Sequence, residues 1–120
     1  MVKANLKPIL PSMREKKRYL AFEIVSKDKI DNYKNMSDSI RNCAFQALGV
    51  FGLARAGMII LENKWNPNTQ RGIIKVNHKY VDSIKSSLIF CDEINSKPAF
   101  FKSLCVSGML NKAEKFLTQN

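Results

Sequence analysis

Two hydrophobic periods alternate along this chain, and their order constrains the fold more than any other feature of the sequence. Tyr19 to Ser26 (YLAFEIVS) has period two, with Leu20, Phe22 and Ile24 on one face and Tyr19, Ala21, Glu23 and Val25 on the other. That is a strand with one face in a core. The polar stretch 27–36 leads to a helix whose apolar positions Ile40, Cys43, Ala44, Ala47 and Leu48 recur at three and four, with Ser37 as its cap and Gly49 and Gly52 as its stop. Gly57 to Trp65 (GMIILENKW) reads as a second strand and Arg71 to Asn77 (RGIIKVN) as a third. Between them Asn66-Pro67-Asn68-Thr69-Gln70 has hairpin-loop chemistry. Val81, Ile84, Leu88 and Cys91 mark a second amphipathic helix over 79–91, with Asn77 as its cap. Ser96-Lys97-Pro98 turns the chain, Phe100 to Ser107 reads as a fourth strand, Gly108 ends it, and Leu110, Ala113, Phe116 and Leu117 give a short closing helix.

The order β-α-β-β-α-β predicts an α+β fold, a ferredoxin-like, RRM-like sandwich with an extra C-terminal helix. Right-handed crossovers put both main helices on one face of an antiparallel sheet. Residues 1–18, where Pro8 and Pro11 interrupt any period, read as a basic extended arm; residues 19–120 read as a single domain. The second sheet face is open unless the terminal helix, a partner or a nucleic acid covers it.

Charge narrows the partner. The 120 residues hold 20 Lys and Arg against 10 Asp and Glu, a net +10. Residues 1–18 hold Lys3, Lys7, Arg14, Lys16, Lys17 and Arg18 against Glu15, six less one, or +5. Residues 57–80 hold Lys64, Arg71, Lys75 and Lys79 against Glu62, four less one, or +3. Charge gathered in two patches points to a polyanion, and the candidate contacts are Arg14, Lys16, Lys17, Arg18, Arg55, Lys64, Arg71 and Lys75.

Other function classes find little support. No apolar run approaches the roughly 20 residues of a membrane helix, and the Lys-rich N-terminus lacks a signal-peptide core, so a cytoplasmic protein is expected. Cys43, Cys91 and Cys105 are odd in number, widely spaced and without a CxxC pair, which argues for small buried hydrophobes over a disulfide framework or zinc site. His78 is the only histidine, so no Ser-His-Asp, Cys-His or His-rich metal set forms around it; it reads as a strand-end or capping residue. Among scattered carboxylates only Glu23 and Glu62 could pair on strands, the basis of an alternative reading as a metal-dependent protein nuclease. Phosphate-binding glycine loops are missing too. The third strand begins like the RNP1 pattern, Arg71-Gly72, but Ile73 and Lys75 stand where stacking aromatics belong, so single-strand stacking is not its mode. Phosphate contact with a folded RNA remains, with Trp65 assigned to packing. A ribosomal or other structured-RNA protein of this fold is the alternative within the binding class.

At this point the residues resemble a known family. Leu10-Pro11-Ser12-Met13-Arg14-Glu15-Lys16-Lys17-Arg18-Tyr19-Leu20-Ala21-Phe22-Glu23, Gly52-Leu53-Ala54-Arg55-Ala56, Thr69-Gln70-Arg71-Gly72-Ile73-Ile74-Lys75 and Val106-Ser107-Gly108-Met109-Leu110 are similar, in order, to blocks of the archaeal ribonuclease P protein component 2 family, the counterpart of the eukaryotic Pop-five subunit. The likeness runs from about residue 8 to residue 117. Met109 and Asn111 depart from it, standing where a more polar and basic pattern is expected. The resemblance implies a subunit of the ribonucleoprotein that removes the 5′ leader of precursor tRNA, with the RNA supplying the active site and Mg²⁺ and no cofactor on the protein. It also implies a partner, the TIM-barrel-like ribonuclease P protein component 3, in a heterotetramer.

Overall fold

The computed structural model describes residues 16–118; Arg14 and the rest of the expected arm before Lys16 lie outside the described residues. The elements are β1 (Lys17–Ser26), α1 (Tyr33–Ala56), β2 (Ile59–Ile60), β3 (Arg71–Asn77), α2 (Val81–Ile89), β4 (Glu93–Ile94), β5 (Lys97–Ser107) and α3 (Leu110–Glu114). They form an antiparallel sheet in the order β2-β3-β1-β5-β4. This is the expected ferredoxin-like, RRM-like architecture with a small additional edge strand.

Period-two patterning splits the sheet between two cores. Leu20, Phe22 and Ile24 of β1 with Ile74 and Val76 of β3 pack against Met36, Ile40 and Ala44 of α1 and Val81, Ile84 and Leu88 of α2. On the other face Ala21 and Ile73 are wholly buried with Ala113 of α3 and Leu117 after it, flanked by Tyr19, Leu61, Leu104 and Phe116. The face that sequence left open is therefore covered, over this stretch, by the chain's own C-terminal turn. A bulge helps: Cys105 faces Ala21 and Ser103 faces Phe22, so Leu104 is an extra residue on β5, and Leu104 and Cys105 both join the outer core.

Several boundaries move from expectation. β1 starts at Lys17, so Lys17 and Arg18 are sheet residues, not arm. α1 starts four residues before Ser37: Asn32 caps it, its side-chain oxygen accepting from Lys34 N–H at 2.8 Å. Ser37 is instead buried inside the helix, its hydroxyl donating to Lys34 O. Gly49 does not end α1. At φ 74° it kinks the helix, which resumes through Gly52 to Ala56 and stops at Gly57, φ 59°; both values lie where a Cβ is penalised. The second strand shrinks to Ile59–Ile60 because Glu62–Lys64 tightens into a 3-10 turn. Asn77 does not cap α2; His78–Tyr80 forms a 3-10 turn before it. Asn95 and Ser96, at φ 54° and 66°, make a tight β4–β5 hairpin, so Lys97 and Pro98 belong to β5.

The cysteines need a larger correction. Cys43 on α1 and Cys91 just beyond α2 form a disulfide across 48 residues, with Cα atoms 5.8 Å apart, a spacing suited to the bond. Sequence spacing missed it because the pairing arises only when the two helices pack side by side. Cys105 alone is a free thiol, in the outer core.

Candidate nucleic-acid interface

The Asn77 end of β3 gathers cations from three elements. Register places Lys17 opposite Asn77, Arg18 opposite Val76 and Tyr19 opposite Lys75. The end of α1 arrives at the same place because Gly57 turns it toward β2, and the buried Asn77 amide joins the pieces. Its Nδ2 donates to Arg55 O at 2.6 Å and its Oδ1 accepts from Lys17 Nζ. Lys16 is tied on by its carbonyl, which accepts from His78 N–H at 2.8 Å and lies 3.2 Å from His78 Nδ1. His78 thus serves as a strand-end residue. Arg18 donates to Lys17 O at 3.0 Å and lies over Gly108, where a Cβ would sit 3.4 Å from its Nη1.

Lys16, Lys17, Arg55 and the neighbouring Lys79 are exposed, while Arg18 and Lys75 are half-buried. Among the described residues none of the six is ion-paired with a carboxylate. Cations on neighbouring backbone positions favour an anionic partner, and phosphate oxygens suit lysine and arginine donors.

The hairpin cations are placed otherwise. Arg71, with only 14% of its side chain exposed, lies 3.7 Å from Glu23 Oε1 and donates from Nη1 to Phe116 O at 2.8 Å. Lys64 pairs with Glu114 of α3. Thr69 donates to Leu117 O at 2.7 Å. The segment Thr69-Gln70-Arg71 is thus a clamp on the C-terminal turn. Its middle residue holds the opposite side: the Gln70 side chain accepts from Ile30 N–H at 2.9 Å and donates to Ile30 O at 3.0 Å.

The neighbouring aromatic is also structural. A Cβ on Gly72 would come 2.9 Å from Phe22 and 3.2 Å from Trp65, so glycine here makes room for those two stacked rings, 6.5 Å apart. The Trp65 indole Nε1 is buried without a hydrogen-bond partner among the described residues.

The structure thus joins Lys16, Lys17, Arg18, Arg55 and Lys75 at one pole and holds Lys64 and Arg71 in internal pairs. Sequence reasoning did not single out Asn77 as their organiser or Lys79 as a neighbour. Glu23, proposed for metal chemistry, faces Arg71, and no group of three His, Cys, Asp or Glu side chains among the described residues could hold a metal. No helix among them is long and apolar enough to cross a membrane.

The Rpp14/Pop5 family model matches residues 18–118. Ribonuclease P protein component 2 of Pyrococcus furiosus is 34% identical over 114 residues, covering 94% of this chain and 92% of the relative. Its counterpart in Pyrococcus abyssi is 33% identical over 118 residues, covering 96% of each. The Methanococcus vannielii protein of that name is 33% identical, covering 93% of this chain and 83% of the relative. A chain in the cryo-EM structure of yeast ribonuclease MRP shares the fold, with a TM-score of 0.61 at 20% identity and 88% of both chains covered.

Proposed function

The chain belongs to the Rpp14/Pop5 family, and from that premise we propose that it is a protein subunit of ribonuclease P. In this reading it binds and stabilises the catalytic RNA for 5′-end maturation of precursor tRNA. The observation that carries the reading is the pole of cations around Asn77, without carboxylate partners among the described residues, beside a strand β3 that carries no aromatic ring. Removing water-exposed repulsion between phosphates that approach one another in a folded RNA is the work such a surface can do. The pole neutralises them and releases condensed counterions.

Catalysis belongs to the RNA in this proposal, as does Mg²⁺. The protein partner is ribonuclease P protein component 3, in a heterotetramer, and the site of action is the cytoplasm. Precursor tRNA is contacted through the assembly. The test is reconstitution of leader cleavage from catalytic RNA and component 3 at moderate Mg²⁺, with and without this chain. A rise in rate on adding the chain is expected. Equal rates would remove the reading, and Mg²⁺-dependent cleavage by the chain without any RNA cofactor would replace it with a protein nuclease.

A further inference from the structure

The helical layer carries a second surface with chemistry opposite to that of the pole. Ile89 and Phe90, at the end of α2, are 73% and 81% exposed, and Phe45, Val50 and Phe51 of α1 are also in solvent. Phe90 is flanked by grooves between α1 and the end of α2. On one side the groove is lined by Ala47, Asp82 and Ser86; on the other by Gln46, Asp92 and Glu93. A third hollow, bordered by Cys43 and Ser87, joins them. Three carboxylates and no lysine or arginine line these grooves, in a chain where cations outnumber anions two to one.

The backbone that carries the ring is braced. The next residue, Cys91, is 1% exposed and bonded through sulfur to Cys43 of α1, and its N–H donates to Leu88 O at 3.1 Å. An aromatic side chain on a covalently braced turn binds with little loss of backbone freedom, a property that suits an interface anchor.

We propose that this surface docks a cationic amphipathic helix of another protein. Its apolar side chains would pack on Phe90, and its lysines and arginines would meet Asp82, Asp92 and Glu93. The carboxylates repel RNA. They also disfavour a second copy of the same face, since two-fold contact about Phe90 would set the same three carboxylates against themselves. The surface is independent of the RNA-binding reading, and its test leaves the pole intact.

The experiment is fluorescence anisotropy on the full chain, with a labelled amphipathic helix of leucine and lysine as probe and its leucine–glutamate counterpart as control. The lysine peptide should bind about tenfold tighter despite the overall charge of +10. Phe90→Ser should weaken it about tenfold. The triple variant Asp82→Asn, Asp92→Asn, Glu93→Gln should abolish the preference for lysine over glutamate. Both variants should keep the RNA affinity of the parent, measured separately, which also reports that they fold. Equal or tighter binding of the glutamate peptide, or indifference to these substitutions, would overturn the proposal. A dimer in sedimentation that Phe90→Ser dissolves would assign the surface to a second copy instead. Tighter peptide binding after deletion of residues 1–15 would assign it to the chain's own basic N-terminal segment. Either result would equally overturn it.

Discussion

The two ends of β3 are about 20 Å apart by strand geometry and treat their cations in opposite ways. At Asn77 the lysines and arginines are organised through main-chain carbonyls and one amide, without a carboxylate partner among the described residues. At Arg71 they are spent on Glu23, Glu114 and the carbonyl of Phe116. The same residue types at the two ends of one strand are thus, in the proposed reading, a binding surface at one end and a fastening at the other. What separates them is whether the fold has already supplied the counter-charge.

Substitutions at the two ends should behave differently, and the largest effect belongs to the pole. Lys16→Gln, Lys17→Gln and Arg18→Gln together should weaken RNA binding by roughly a hundredfold at low salt, and filter binding would measure it. Thermal unfolding should change less than for Arg71→Ala, since Lys16 and Lys17 are exposed and Arg18 is only half-buried.

At the other end Arg71→Ala should cost about 1.5–3 kcal/mol of stability, the range for a hydrogen bond from a charged group, read by denaturant unfolding. Hydrogen exchange should rise at 110–117, while RNA affinity of the folded protein stays put. A loss of affinity without loss of stability would place Arg71 with the binding residues and break the comparison.

Asn77→Ala should cost about 1 kcal/mol, because it unfastens the Arg55 carbonyl and frees Lys17. RNA affinity should fall only a few-fold, since the charges remain. The smallest effect is expected of Lys64→Met. Its partly exposed pair with Glu114 is worth under about 1 kcal/mol, and RNA binding should not respond.

The order of elements and the two-faced β1 were legible in sequence because period two and period 3.6 leave distinct traces. So was the basic character of the segment before Tyr19. The division of labour among the cations was not. Arg71 meets Glu23 only through the β1–β3 register, and Lys64 meets Glu114 from 50 residues away. Residue type and neighbourhood along the chain therefore made Lys64 and Arg71 look equivalent to Lys75. Gly49 misled for a local reason. A glycine inside a helical pattern signals a stop, but here apolar residues on both sides resume the helix beyond a kink. The Cys43–Cys91 bond was invisible in the same way, since only helix packing brings its partners together. Asn77 looked like a helix cap because asparagine often is one; its amide is claimed instead by Arg55 and Lys17.

The most direct measurement is the slope of log affinity against log salt for the catalytic RNA, compared between the parent, the Lys16/Lys17/Arg18 variant and a Lys64/Arg71 variant kept below its unfolding temperature. With five phosphate contacts at the pole, the parent slope should be roughly −4. The pole variant should be shallower by about 2 to 3, and the hairpin variant should match the parent. A hairpin variant with the shallower slope, beside a pole variant with none, would contradict the assignment of RNA to the Asn77 end.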